Sequence, residues 1–395
     1  MSKENTSLQE VNLKTLGKSL SSFYEHGIPL YLWGRPSTAK TSKIREFAKA
    51  QAAKMGLQYS EDKYGADIFT LKVITLSQYD SPDLRGMPEI VGTANRVTEF
   101  VPTVELPRVG QGIIFFDEMN LADAQTRAAC YQYILEGRYG SLPAVLDKNG
   151  KESFWRCAAS NTENDFSNVN DSSLALLRRF SHMSIQPDVE EVTDYYAALG
   201  LDPRIVSYIK SHPEDLFPQK WDEKLLDNKA NPFPSTWENA AKMVESIHPE
   251  RKSGADAKEA ENNMFALVAS CVGAPLASKF SSFCTLIGQI DEGEFVRNPK
   301  KEIAKMMAHE EKSSLMYAAT YALSYKWKKR MNYEHGGKAH KVKGEDIVNI
   351  ANELSPEFST SFMIACMTSR STEITNAPGA KDVLLKIGKY FDYGS

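Results

Sequence analysis

The stretch Gly34-Arg35-Pro36-Ser37-Thr38-Ala39-Lys40-Thr41 follows the apolar run Leu30-Tyr31-Leu32-Trp33 and leads into a helical pattern. Its residue types suit a phosphate cradle: backbone N–H groups and the positive end of the next helix face the anion. Lys40 would neutralise the β/γ charge and the Thr41 hydroxyl would ligate Mg2+. The strict pattern has a second glycine where Ala39 stands. Alanine gives up easy access to φ > 0, which a cradle of right-handed backbone angles does not need. An ordinary strand-turn-helix connection can look the same locally, so the context has to decide.

That context is Gly112-Ile113-Ile114-Phe115-Phe116-Asp117-Glu118-Met119-Asn120. Consecutive large apolar residues suit a strand buried on both faces of a parallel sheet, and its carboxyl end is where ligands bind in such sheets. Asp117 there could hold Mg2+, directly or through water, and Glu118 could accept a proton from an attacking water. Alone, the pair is also an unremarkable strand-to-turn junction. Trp155-Arg156-Cys157-Ala158-Ala159 reads as another strand delivering Ser160 and Asn161 to the same edge. Asn161 could orient the water beside Glu118, or merely begin a turn. Leu174 to Phe180 reads as an apolar helical stretch ending in Arg178 and Arg179. Paired arginines usually lie in solvent, but one here could reach a neighbouring subunit's γ-phosphate. Arg179 is expected at the same sheet edge as Asp117, Glu118 and Asn161.

The elements that must carry these residues are readable in outline. Spacing predicts a helix over 8–24, a second after the phosphate loop fading near Gly56, and a strand over Phe69–Ile74. Residues 86–112 alternate and suggest a hairpin standing off the sheet, or a surface loop. A helix spans 123–136, with Asp123 as N-cap and Gly137 as stop. Residues 138–155 suggest a hairpin turning at Asn149-Gly150, and His182–Ile185 suggests a fifth strand. Beyond Pro187 the patterns are helical, at 189–199, 203–211, 236–247, 258–272, 276–290 and 301–330.

Composition narrows the class. The 395 residues are 42% hydrophobic, ample for two or three domains, and carry 47 basic against 51 acidic residues. A net charge of −4 does not describe a general polyanion binder. Five widely spaced cysteines without metal-type spacing suit a reducing compartment and burial as small hydrophobes. With no apolar run long enough to span a bilayer and a polar N-terminus, the expectation is a cytoplasmic protein without membrane attachment.

In this order the motifs resemble an AAA+ ATPase of the MoxR-like group, from about residue 28 to 245 and best from Leu30 to Phe180. Phosphate loops ending Ala-Lys-Ser/Thr occur in that group. Phe116-Asp117-Glu118-Met119-Asn120 and the helix with Gln125-Thr126 resemble its Asp-Glu-Ile-Asn and following helix. Asp83-Leu84-Arg85-Gly86 looks like its Asp-Leu-x-Gly segment, and Gly137-Arg138-Tyr139 like the start of its hairpin before sensor 1. Asn161 matches sensor 1, and Arg179-Phe180 matches the finger Arg-Phe, with Arg178 where Asp or Ser is usual. Phe233-Pro234-Ser235-Thr236-Trp237-Glu238 resembles the lid motif, but the sensor 2 arginine is absent; Lys242 could substitute.

The resemblance implies a P-loop AAA+ fold: an α/β parallel five-stranded sheet flanked by helices, then an all-helical lid and a helical C-terminal extension. The expected domains are 1–187, 188–290 and 291–395. ATP and Mg2+ are the implied cofactors, with Gly34, Pro36, Ser37, Thr38, Ala39, Lys40, Thr41 and Ser42 around nucleotide and Thr41 with Asp117 on the metal. Glu118, Asn161 and Arg179 or Arg178 would be catalytic. The chain would form a ring with itself, a hexamer by resemblance, and remodel a protein client, with a von Willebrand factor A domain protein as a plausible partner. Two other readings remain. One is a nucleic-acid motor or loader using Lys326, Lys328, Lys329, Arg330, Lys338, Lys341 and Lys343 with Trp327 and Tyr333 interleaved; a solvated helix end is the plainer account of that stretch. The other is a slow-turnover, nucleotide-gated scaffold.

Overall fold

The computed structural model describes residues 8, 10–92, 96–101, 106–137, 143–161, 177–218, 229–247, 254–288, 290–367 and 369–393. They form two compact units, Met1–Asp188 and Val189–Ser395.

The first unit contains β1 (Glu10–Val11), α1 (Leu13–His26), β2 (Leu30–Gly34), α2 (Lys40–Met55), β3 (Gln58–Ser60) and β4 (Ile68–Thr75). These are followed by α3 (Ser81–Arg85), β5 (Met87–Val91), β6 (Val97–Val101), β7 (Gln111–Asp117), α4 (Ala124–Glu136), β8 (Phe154–Ser160) and β9 (Ser181–Ile185). Seven strands make one parallel sheet in the order β1-β9-β2-β8-β7-β4-β3. The five expected strands are its centre; β1 and β3, of two and three residues, extend its edges.

Both faces of the sheet are covered, which is why its strands read as continuous apolar runs. In β7, Ile113 and Phe115 pack with Leu16, Ile44 and Phe47 of α1 and α2. Their neighbours Ile114 and Phe116 pack on the other face with Cys130 and Tyr133 of α4. The first helix starts later than its apolar spacing suggests. Asn12 caps it by accepting from Thr15 N at 2.9 Å, and Val11 pairs with Ile185 in the sheet instead. Gly56 and Gly137 end α2 and α4 in the left-handed conformation, and Asp123 caps α4, all as expected.

Met87–Val91 and Val97–Val101 pair antiparallel, outside the main sheet. At Asp147–Lys151 the turn is held by the Asp147 carboxylate, which accepts from Asn149 N at 2.7 Å and Lys151 N at 2.9 Å. A short hairpin forms there: the Leu146–Glu152 bridge is flanked by Asp147 N donating to Lys151 O at 2.7 Å and Ser153 N donating to Val145 O at 2.8 Å. Arg138, Tyr139 and the helical stretch Leu174 to Leu176 lie outside them.

The second unit runs through α5 (Val189–Leu199), α6 (Pro203–Ser211), α7 (Pro234–Val244), α8 (Gly254–Val272), α9 (Ala274–Ile287) and α10 (Glu292–Arg297). It continues with α11 (Pro299–Met307), α12 (Lys312–Lys329), β10 (Asn332–His335), β11 (Lys338–Lys341), α13 (Gly344–Glu353), α14 (Pro356–Met367), α15 (Ser371–Thr375) and α16 (Ala380–Tyr393). One core joins Val192 to Ile387, so the helices on either side of residue 290 share it, with α6 lying along α12. The expected helix 301–330 is two helices, broken where the His309 ring takes Glu311 N at 3.1 Å. Among the described residues the unit is helical apart from one hairpin, β10–β11, turned by Gly336 and Gly337 at φ 57° and 71°. Among the described residues, no helix is long and apolar enough to cross a membrane.

Candidate active site

Strand order assembles the site. β2, β8 and β7 are neighbours, so the segments leaving their carboxyl ends, 34–41, Asn161 and Asp117–Glu118, emerge side by side. Gly34 has little room: a Cβ there would stand 2.8 Å from Ile185 O and 3.0 Å from Thr38 Oγ1. That contact lets the loop leave β2 tightly against β9.

Lys40, the first residue of α2, is buried under the loop. Its ammonium donates to Gly34 O at 2.7 Å, Arg35 O at 3.0 Å, and Thr38 Oγ1 and Asn161 Oδ1 at 3.4 Å. Thr38, itself buried, donates to Arg35 O at 2.8 Å. The loop thus closes on a cation, and the amino end of the 16-residue α2 adds positive potential at the same place.

Next to it, Thr41 Oγ1 donates to Asp117 Oδ2 at 2.5 Å, and the other Asp117 oxygen accepts from Glu118 N at 3.0 Å. Hydroxyl and carboxylate oxygens are the donors a hard divalent cation takes. No cluster of three His, Cys, Asp or Glu that could hold a metal occurs among the described residues. Thr41 and Asp117 offer the one or two protein oxygens that Mg2+ uses when phosphate and water complete its shell. The loop, Lys40, Thr41 and Asp117 therefore fit ATP with Mg2+.

Glu118 follows in the left-handed region, φ 53°, and its Oε2 accepts from Ser77 Oγ at 2.6 Å. Beneath these groups, buried Ser160 accepts from Asn120 N at 3.1 Å and shares a 2.5 Å hydrogen bond with Tyr31. Asn120 is buried too; its Nδ2 lies 3.5 Å from Asn161 O while its Oδ1 has no partner among the described residues. This tie couples the turn after β7 to the turn after β8.

The structure brings together Lys40, Thr38, Thr41, Asp117, Glu118 and Asn161, with Pro36 and Ala39 half-buried in the loop and Ser37 and Ser42 exposed. It does not bring Arg178 or Arg179 to that edge. Both are exposed and precede β9, where Ser181 pairs with Leu30, the first residue of β2. They stand at the amino end of the strands because β9 runs parallel to β2. The expectation of one shared edge is corrected accordingly: the roughly five residues of a strand separate the two ends by about 17 Å.

Ala39 brings a second correction. Its φ of 59° and ψ of 22° are left-handed, as is Ser37 at φ 61°, so the cradle does use positive φ. Ser77 is a site residue that the sequence did not disclose; a serine after a strand carries no signal, and only the β4–β7 pairing places it. In the second unit Lys242 donates to Glu238 at 2.6 Å, one turn before it. Trp327 and Tyr333 are fully buried in the helical core, which removes the base-stacking role considered for them.

Fold and site together define a parallel α/β sheet with a loop closed on a lysine at its carboxyl edge, and a separate helical unit. No known family model matches the chain, and no curated protein does. Among solved structures it is similar to a point mutant of RuvB from Thermotoga maritima, at 13% identity and a TM-score of 0.30 over 85% of this chain and 92% of that one. A second point mutant of the same protein gives 12% identity, a TM-score of 0.30, and 85% and 93% coverage. NtrX from Brucella abortus, solved with ADP, gives 11% identity, a TM-score of 0.34, and 70% and 69% coverage.

Proposed function

We propose that the chain is an ATP hydrolase of the AAA+ type, MoxR-like, working as a ring of identical subunits on a protein client. The observation that carries this reading is the contact of Lys40 with both the loop carbonyls and Asn161, beside the Thr41–Asp117 pair.

In this reading the loop N–H groups and the amino end of α2 bind the β- and γ-phosphates, and Lys40 turns from Gly34 O and Arg35 O to their oxygens. Thr41 and Asp117 would hold Mg2+, which would supply charge neutralisation. Glu118 takes a proton from the attacking water, which Asn161 orients from the adjacent strand. Arg179 or Arg178 completes the neighbouring subunit's site, where its cation meets the charge that grows on the γ-phosphate. Their place at the far edge of the sheet supports a role in trans. Residues 188–290 act as the lid and 291–395 as its extension. The client, for which a von Willebrand factor A domain protein is the candidate, is engaged in the cytoplasm.

The test is turnover and binding measured together. Glu118→Gln should bind ATP and fail to hydrolyse it; normal hydrolysis by that variant would sink the assignment of the base.

The Lys242–Glu238 pair favours a second reading. With that lysine engaged and no sensor 2 arginine, turnover would be slow and the chain a nucleotide-gated scaffold. A single-turnover rate far below the rate of nucleotide release would support it.

A further inference from the structure

The helical unit holds a second place suited to anions. A cavity of about 620 Å3 is lined by Lys326, Arg330, Lys341, Lys343 and Arg370, with Glu373 as the only acid among its lining residues. These cations come from three separate segments: the end of α12, the stretch from β11 into α13, and the turn between α14 and α15. Convergence of that kind does not arise from one solvated helix face.

Two of the five are engaged. Lys326 pairs with Glu292, and Arg370 with Glu373, its Nε donating at 2.8 Å. Arg370 also lies 3.7 Å from the centre of the buried Trp327 ring, which fixes the plane of its guanidinium. The side chains of Arg330, Lys341 and Lys343 make no ion pair among the described residues. The nearby Asp346 carboxylate is turned to Lys343 N at 2.8 Å, capping α13. Gly344 brings the amino end of α13 against α15, since a Cβ there would fall 2.3 Å from Glu373 O. Three cations with no ion-pair contact among the described residues therefore line one cavity beside the positive end of a ten-residue helix, with the Glu373 carboxylate within electrostatic reach of Arg330.

We propose that this cavity is a binding site for a compact ligand carrying two or more linked phosphates. Its volume lies within the roughly 300–1,000 Å3 of small-molecule sites. Arg330 supplies fork geometry for phosphate oxygens and the lysines supply point charge, while Arg370, held by Glu373 and Trp327, adds positive potential. A nucleic-acid strand is the poorer occupant. The aromatic residues of this stretch, Trp327 and Tyr333, are in the core, and the cations meet at one cavity instead of tracking a groove. The ligand is a free inorganic oligophosphate or the oligophosphate arm of a nucleotide, and the two share this chemistry.

The test uses the full chain carrying Lys40→Ala, so that the loop after β2 is not the site read. Inorganic tripolyphosphate is titrated calorimetrically at about 150 mM salt, where exposed charges are largely screened. Saturable binding is expected, and Arg330→Ala with Lys341→Gln and Lys343→Ser should weaken it at least about tenfold. Serine suits the cap position of α13, so this variant keeps its fold. Glu373→Gln should tighten binding, a direction that misfolding does not give. ATP competing with tripolyphosphate would assign the nucleotide arm, and failure of ATP to compete the free oligophosphate. No saturable binding, a triple variant within about twofold of its parent, or a single-stranded oligonucleotide that binds more tightly than tripolyphosphate would overturn the proposal.

Discussion

Ser77 donates a 2.6 Å hydrogen bond to Glu118 Oε2, linking the turn after β4 to the residue after β7. The bond occupies one carboxylate oxygen and leaves Oε1 to face a water. Ser77 is thus a positioning residue for the proposed base. A hydrogen bond to a charged group contributes about 1.5–3 kcal/mol, and this one is exposed, so the low end applies. Ser77→Ala should lower kcat about tenfold while leaving KM for ATP within about twofold, and Ser77→Thr should restore it. A change confined to KM would show that Ser77 serves binding instead.

Lys40 and Thr41 sit side by side but are expected to fail differently. Lys40→Ala removes the buried cation on which the loop closes, so binding of a fluorescent ATP analogue at the loop, read in a chain that also carries Arg330→Ala, Lys341→Gln and Lys343→Ser, should be lost. Thr41→Ala removes only the hydroxyl that Asp117 holds, so nucleotide should still bind, with its Mg2+ requirement moved to higher concentration. Identical behaviour in a Mg2+ titration would remove Thr41 from the metal site.

Because Arg178 and Arg179 precede β9 at the far edge from Lys40, a single chain should not complete its own site. Turnover per subunit should rise with protein concentration. Arg179→Ala should lose turnover and keep nucleotide binding, and mixing it with Lys40→Ala should recover activity, since each supplies what the other lacks. Recovery from Arg178→Ala mixtures instead would assign the finger to Arg178, and recovery from neither would exclude a role in trans.

The central fold was legible because its signals are strong and local. The run 113–116 is apolar because both faces of β7 are covered, and Asp123 with Gly137 bounds α4 by capping chemistry. What the sequence hid depends on pairing between distant segments. Glu10–Val11 is too short to show a period and exists as a strand only against β9. Ser77 meets Glu118 through the register of β4 on β7. The edge to which Arg179 comes follows from strand direction, which residue types do not encode. Lysines interleaved with aromatics look like a binding face, yet Trp327 and Tyr333 belong to the core.

The thiols should divide by burial. Cys130, Cys157 and Cys366 are buried, and desolvation pushes each well above the ordinary thiol range, so they are poor nucleophiles in the folded chain. Cys271 and Cys284 are half-buried, and Cys271 is also raised, by burial ahead of the opposing hydrogen bond from Ser270. Native labelling with a maleimide at neutral pH should modify at most these two, slowly, and denaturation should expose all five. Rapid native modification of Cys157 would contradict its place in the core of the sheet.

Glycine should be tolerated at two site positions for one reason and with opposite functional results. Ala39 and Glu118 both hold left-handed backbones, at φ 59° and 53°, which cost a residue with a Cβ about 1–2 kcal/mol. Ala39→Gly removes that cost, offset by the larger entropy of glycine in the unfolded chain, and restores the strict phosphate-loop pattern. The melting of the first unit should rise by about 2–4 °C per kcal/mol recovered, with turnover preserved. Glu118→Gly should gain less, because it relieves the same strain but loses the Ser77 hydrogen bond, and should be inactive, because the strain there is what carries a carboxylate to Ser77 and the proposed water. Differential scanning fluorimetry beside an ATPase assay separates the two. If Glu118→Gly melts lower than its parent, the left-handed turn after β7 is held by the side chain's own contacts and stores no strain.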